Sequence, residues 1–149
     1  MRAVVQRVTH AEVKIDGSVR GKIDDGFLVL LGVGKGDTTE DMKYIADKII
    51  NLRVFSDENG KMNLSLTDID GSMLVISQFT LYGDCSHGRR PYFGDAMEPL
   101  GANKLYENFV AYVREQEIHT ETGEFGADMR VTLTNDGPVT IMIESKKEK

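Results

Sequence analysis

Phe27-Leu28-Val29-Leu30-Leu31 is an unbroken apolar run that follows the turn signal Asp25-Gly26. A run this short, with no alternation of polar residues, fits a strand covered on both faces, hence a central strand. Outward from it toward the N-terminus, Arg2 to Val8 reads as a strand. Ala11, Val13 and Ile15 alternate with Glu12 and Lys14, and Asp16-Gly17 supplies a hairpin turn before Ser18 to Ile23. On the other side, Met42, Ile45, Ala46, Ile49 and Ile50 recur at helical spacing between Thr39 and Leu52. Asp37, Thr38 or Thr39 is available as cap, and Glu40-Asp41 lies in the first turn. That stripe belongs on a sheet.

Farther along, Val54-Phe55 and Met62 to Leu66 flank the turn Asp57-Glu58-Asn59-Gly60, and Ser72 to Phe79 is a strand. The segment from Tyr82 to Pro99 is an irregular connection or functional loop. A helix from about Pro99 to Glu117 carries Leu105, Phe109, Tyr112 and Val113 on its apolar flank. Val131 to Leu133 and Val139 to Ile143 read as strands. The expected fold is α/β, bordering on α+β: a curved, mostly antiparallel sheet or barrel-like core covered by two main helices. One domain spans residues 1–145, with a solvated tail over 146–149.

At 149 residues the chain is long enough to bury about two thirds of its unfolded surface without metals or disulfides. Cys85 is the lone cysteine, so there is no internal disulfide framework. The N-terminus has neither the apolar run nor the cleavage pattern of a signal peptide, and no stretch reaches the roughly 18 apolar residues of a membrane span. These features predict a cytoplasmic protein without a membrane partner. Eighteen Lys and Arg against 24 Asp and Glu, a formal charge of −6, argue against wrapping a nucleic-acid backbone. They leave room for a protein that grips only the end of an RNA.

Several chemistries fail on spacing. Gly32-Val33-Gly34-Lys35-Gly36-Asp37 follows a strand and precedes a helix, but a phosphate-binding P-loop needs Gly at 29 and Ser or Thr at 36, where the chain has Val29 and Gly36. It reads as a flexible turn. His10, His87 and His119 are too dispersed for a metal site, and neither a metal nor another cofactor is expected. Asp24-Asp25, Glu40-Asp41 and Asp68 with Asp70 sit in turns or at a helix start, where carboxylates accept backbone N–H bonds. No Gly-x-Ser-x-Gly elbow is present. Cys85 beside His87 leaves a thiol esterase or peptidase open.

Two polar stretches attached to strands remain. In Ser77-Gln78-Phe79-Thr80-Leu81, Ser77 and Phe79 share one face of a regular strand, and Gln78 and Thr80 the other. Asn135-Asp136-Gly137-Pro138 is a strong turn signal. A plain hairpin explains it, and so does a binding element, because Gly137 admits close backbone approach and Pro138 fixes φ.

These two stretches join the opening Met1-Arg2-Ala3-Val4-Val5-Gln6-Arg7-Val8 and Gly123-Glu124-Phe125-Gly126-Ala127-Asp128-Met129. Together they resemble the D-aminoacyl-tRNA deacylase family over nearly the full length. The resemblance implies a homodimer in which a cis Gly137-Pro138 bond projects into the partner's pocket. It implies as substrate the tRNA acceptor 3' end carrying a D-amino acid or glycine, with release of free amino acid and tRNA. The catalytic set is then Ser77, Gln78, Phe79 and Thr80, with Phe79 near the terminal adenosine. Arg7, Met129 and Asn135 support it, and Gly137 and Pro138 exclude L-residues sterically. The resemblance favours the adenosine 2'-hydroxyl as catalytic aid over Thr80 as nucleophile. Arg89 and Arg90, beside Tyr92 and Phe93, either contact acceptor-stem phosphates or are solvated loop charge. A noncatalytic dimeric module whose Gly-Pro turn recognises a protein terminus is the remaining alternative.

Overall fold

The computed structural model describes residues 1–146. In chain order the elements are β1 (Arg2–Ile15), β2 (Ser18–Ile23), β3 (Gly26–Gly32), α1 (Thr39–Asn51), β4 (Phe55–Ser56), β5 (Met62–Leu64), β6 (Ser72–Ser77), a 3₁₀ turn (Phe79–Tyr82), α2 (Pro99–Glu115), β7 (Thr120–Thr122) and β8 (Arg130–Glu144). The main sheet runs β2-β1-β3-β6-β7, with β8 also on β1. β3 is central as expected, antiparallel to β1 and parallel to β6.

β1 organises the sheet. On one edge, Arg2 to Val8 pairs with β3 and Ala11 to Ile15 with β2; along the other edge β8 pairs from Arg2 to Lys14. The sheet curls until β2 meets β7. A Cβ on Gly21 would sit 2.8 Å from the Thr122 carbonyl oxygen, so glycine permits the approach that makes the sheet nearly a barrel.

Alternation along β3 explains its apolar run. Phe27, Val29 and Leu31 belong to the cluster packed under the helices, with Ile45 and Ile49 of α1 and Phe109 and Val113 of α2. Leu28 points into a second cluster inside the curve, with Val8, Ala11, Val13, Leu74 and Ile76. Thr38 caps α1, its N–H donating to Asp41 Oδ2 at 2.8 Å. Pro99 opens α2, where Glu98 accepts from Gly101 N at 2.8 Å. Tyr112 Oη donates to Asp47 Oδ1 at 2.8 Å and ties the helices together. Among the described residues no helix is long and apolar enough to cross a membrane.

The structure corrects several local expectations. β1 passes through Thr9-His10, and β8 passes through Asn135-Pro138, without a break. The latter is therefore not a hairpin turn. β6 ends at Ser77, α1 ends at Asn51, α2 ends at Glu115, and Thr120–Thr122 forms a strand that the sequence pattern does not announce. Tyr112 packs against the core as a partly buried residue of the expected flank of α2, and Tyr106, which the stripe did not name, is buried. Lys146 is exposed, and its Nζ lies 3.0 Å from the Gly36 carbonyl oxygen and 3.2 Å from Asp37 Oδ1. The rest of the expected tail lies outside the described residues.

Phe109 is fully buried beneath the sheet-facing side of α2. Phe109→Ala is expected to cost about 3–5 kcal/mol, read as a lower urea midpoint with an unchanged slope.

Candidate active site

The first polar stretch becomes a corner. Gln78 donates its N–H to Leu31 O at 2.8 Å, then departs from regular extended geometry at φ −146° and ψ 80°, and the chain tightens into the 3₁₀ turn. Gly32 makes room, since a Cβ there would lie 2.9 Å from Gln78 O and 3.1 Å from Leu81 Cβ. The expected sharing of faces by Ser77 with Phe79 and Gln78 with Thr80 is therefore lost. The N–H groups of Phe79 and Thr80 instead open a helical turn, where no acceptor exists within the helix itself.

Beside this corner lies a cavity of about 620 Å³. Ser77, Gln78 and Phe79 form one wall; Ala96, Met97 and Ala102 another; Tyr106, Phe125 and Met129 close it. The walls are mainly apolar, with Ser77 and Gln78 at the corner and Glu98 beside Met97 as polar lining residues. Phe79 is 57% exposed and meets Phe93 edge to face, centroids 5.3 Å apart. Two such rings offer a planar base a stacking surface. Met129 sits where Gly123 lacks a side chain: a Cβ on Gly123 would lie 2.5 Å from the Met129 sulfur.

Thr80 does not line the cavity. Its Oγ1 accepts a hydrogen bond from the Gln78 side-chain amide, and an amide is no base, so nothing in this contact activates the hydroxyl as a nucleophile. Tyr106 Oη donates to Val75 O at 2.7 Å, and burial pushes the phenol up to about 12. Burial also raises the Tyr82 phenol well above its ordinary value, with the Asp37 charge adding to the shift. No cluster of three or more His, Cys, Asp or Glu is gathered for a metal among the described residues.

The second stretch lies on the other edge of β1. Gln6 faces Thr140 and Val8 faces Asn135, so residues 136–139 bulge out of the ladder opposite Arg7. Arg7 is buried, and its Nε donates to Asp136 O at 2.9 Å while an Nη donates to Val54 O at 2.5 Å. Asn135 closes the base of the bulge: its Oδ1 accepts from Val139 N at 2.8 Å, and its Nδ2 donates to Thr140 Oγ1 at 2.9 Å. The Gly137-Pro138 bond is cis. Gly137 has φ +136°, and a Cβ there would meet Val139 Cγ2 at 2.9 Å.

Within one chain the two stretches are separate. Gly137 and Pro138 are exposed and do not line the cavity of their own chain. Arg89, Arg90, Cys85 and His87 are exposed on the loop before α2, and that loop contributes Phe93 to the cavity. Tyr106 and Met97 are lining residues that sequence patterning missed. Phe125 was visible only as part of a longer motif.

The profile of the family described as D-Tyr-tRNA(Tyr) deacylase matches residues 4–144. The chain is 60% identical over 147 residues to a D-aminoacyl-tRNA deacylase of Thermosipho africanus (strain TCF52B), covering 99% of each. Among solved structures it is similar to a c-Myc DNA Unwinding Element Binding Protein, with TM-score 0.93, 42% identity and coverage of 99% of this chain and 100% of that one. A probable eukaryotic D-amino acid tRNA deacylase shares the fold at TM-score 0.79 and 16% identity, covering 96% of this chain and 98% of that one.

Tyr106 carries a pH signature. Its phenol titrates near 12 when folded, against an ordinary value of 10.0. Between those values the unfolded chain gives up a proton that the folded chain keeps, so stability present at lower pH is lost as pH rises toward the folded value. Urea midpoints at about pH 9 and about pH 11 should fall more steeply for the parent chain than for Tyr106→Phe.

Proposed function

The chain belongs to the D-Tyr-tRNA deacylase family, and from that premise we propose that it hydrolyses the ester linking a D-amino acid or glycine to the 3' end of tRNA, as a homodimer whose subunits complete each other's sites. The observation that carries this reading is the Gly137-Pro138 bulge, fastened by Arg7 and Asn135 yet presented outward instead of lining its own cavity. A rigid element held away from the cavity it would serve needs a second copy to use it. Entry of the partner subunit's Gly137 into the cavity brings the two polar stretches of the sequence to one place.

In the reaction, water attacks the ester carbonyl carbon, the C–O bond to the ribose 3' oxygen breaks, and free amino acid and tRNA leave. The N–H groups of Phe79 and Thr80, at the start of the 3₁₀ turn, receive the oxyanion. The terminal adenine lies against the Phe79 and Phe93 rings. The neighbouring ribose 2'-hydroxyl assists the water, because the Thr80 hydroxyl has only an amide beside it. Arg89 and Arg90 supply phosphate contacts near the mouth. A D-residue turns its side chain away from the partner's main chain, whereas an L-residue drives its side chain into it. A packed backbone does not yield cheaply, and glycine has nothing to clash.

Matched D-alanyl-, L-alanyl- and glycyl-tRNA, scored for ester loss, test the proposal. The D and glycyl esters are expected to be cleaved, with the L ester at least about a hundredfold slower. Equal rates for the two alanyl forms overturn it. A second measurement separates the catalytic groups: Thr80→Ala is expected to keep kcat within about threefold, while tRNA ending in 2'-deoxyadenosine loses about a hundredfold or more. The reverse pattern assigns the chemistry to Thr80.

A further inference from the structure

We infer that Tyr106 is a positioning residue for the chiral selectivity of the site, its hydroxyl pinning the α2 wall of the cavity to β6 at the point where β6 and β7 part. These two strands pair only from Met73 opposite Thr120 to Val75 opposite Thr122. Beyond that point β6 stays with β3, Ile76 opposite Leu30 and Ser77 opposite Leu31, while β7 ends at Thr122. The cavity opens in the gap, with Ile76, Ser77 and Gln78 on one lip and Phe125 and Met129 on the other. Tyr106 Oη donates at 2.7 Å to the carbonyl oxygen of Val75, the last β6 residue paired with β7.

The ring of Tyr106 is a partition. It lines the cavity and also a groove of about 840 Å³ that Arg20, Glu107 and Arg114 border. Phe125 belongs to the same partition, its ring centroid 6.1 Å from that of Tyr106. A ring with open space on two sides has fewer packing contacts than one in a filled core, so the directional bond at its tip decides where it rests. Ala102, one turn earlier on the same face of α2, lines the cavity too and moves with it. Removing the hydroxyl takes a donor from a buried carbonyl, and the helix shifts or water enters from the groove to supply another.

The consequence falls on selectivity. On the deacylase reading, on which this inference rests, an L-residue is rejected because its side chain finds no room between the partner subunit's Gly137 and the walls of the cavity. Rejecting a group as small as a methyl requires walls that hold their place to within the size of that group. A D-residue directs its side chain elsewhere and tolerates a looser wall. Loss of the Tyr106 hydroxyl therefore favours the L-ester relative to the D-ester.

The test measures kcat/KM for D-alanyl- and L-alanyl-tRNA on one preparation of the full chain, so that the folded fraction cancels from their ratio. In Tyr106→Phe the D-to-L ratio is expected to fall at least about fivefold. With 4-aminophenylalanine in place of Tyr106, which keeps a donor at the same end of the ring, it is expected to return to within about twofold of the parent. Val110→Ala loosens the same helix at a buried residue that does not line the cavity, and is expected to leave the ratio unchanged. An unchanged ratio in Tyr106→Phe, no recovery with the amine, or an equal fall in Val110→Ala overturns the inference. Should Tyr106→Phe not fold, 4-fluorophenylalanine at the same position fills the space of the hydroxyl and donates nothing, and its ratio decides in the same way. If the parent chain cleaves no D-alanyl ester, the deacylase reading fails and amide hydrogen exchange at Gln78 decides the positioning role. Exchange there is expected to be at least about tenfold faster in Tyr106→Phe than in Val110→Ala, and equal exchange overturns that role.

Discussion

A guanidinium buried in the middle of β1 fastens the bulge of β8 to the segment that follows α1. Arg7 projects between the strand that follows α1 and the bulge of β8, donating to Val54 O and Asp136 O, with the Asp136 carboxylate 3.5 Å away. A cation in this position is costly unless its donors are used, and among the described residues no buried side-chain nitrogen or oxygen lacks a partner. Three segments remote in sequence are thereby fixed to one planar group. Lysine, a point charge on a flexible stem, cannot supply two carbonyl contacts in the same fork. The bulge in turn accommodates Arg7, because a side chain on Gly137 would lie 3.2 Å from its Nη2.

The cavity follows from the parallel part of an otherwise antiparallel sheet. β3, β6 and β7 run in the same direction, with Leu31 opposite Ser77 and Val75 opposite Thr122. Their carboxyl ends therefore open onto one side, where ligands of α/β sheets are ordinarily received. Val33 follows β3, Gln78 and Phe79 follow β6, and Phe125 and Met129 follow β7, and all of them line the cavity. The antiparallel part, β1 with β8, carries the bulge. One sheet thus presents a hollow at one place and a projection at another.

How far the sequence could be read depended on whether a segment's fate was decided locally. Phe27-Leu31 declared a doubly covered strand, and the stripe of α1 named every buried residue of that helix, because periodicity records which face meets the core. The breaks assigned at Thr9-His10 and at Asn135-Pro138 were misplaced for a shared reason: β1 and β8 template each other, and a bulge absorbs residues that local propensity would spend on a turn. The corner at Gln78 was hidden because it depends on Gly32 in the neighbouring strand. Likewise Asp37, in a segment that reads as a flexible turn, is buried, accepts from Gly34 N at 2.7 Å and lies 3.2 Å from Lys146 Nζ, a partner remote in sequence. Within the site, Ser77, Gln78, Phe79 and Met129 were legible and line one cavity, while Tyr106 entered from a helix face whose orientation only packing determines.

An acidic chain acting on RNA is less paradoxical when its contact is confined to the terminus. The formal charge of −6 is spread over the whole molecule, whereas Arg2, Lys35 and Lys146 border the recess next to the 3₁₀ turn, and Arg89 and Arg90 stand on the loop that carries Phe93. Each phosphate neutralised adds roughly one unit to the salt dependence of binding, so a site that meets one or two phosphates has little use for a positive surface. Its discrimination must then come from what touches the amino acid itself. On the proposed reading that contact is main chain, which is blind to the identity of a side chain and sensitive only to the direction it takes. Such a filter works only if the main chain does not move, which returns the function to the buried arginine and the asparagine that hold residues 136–139 in place.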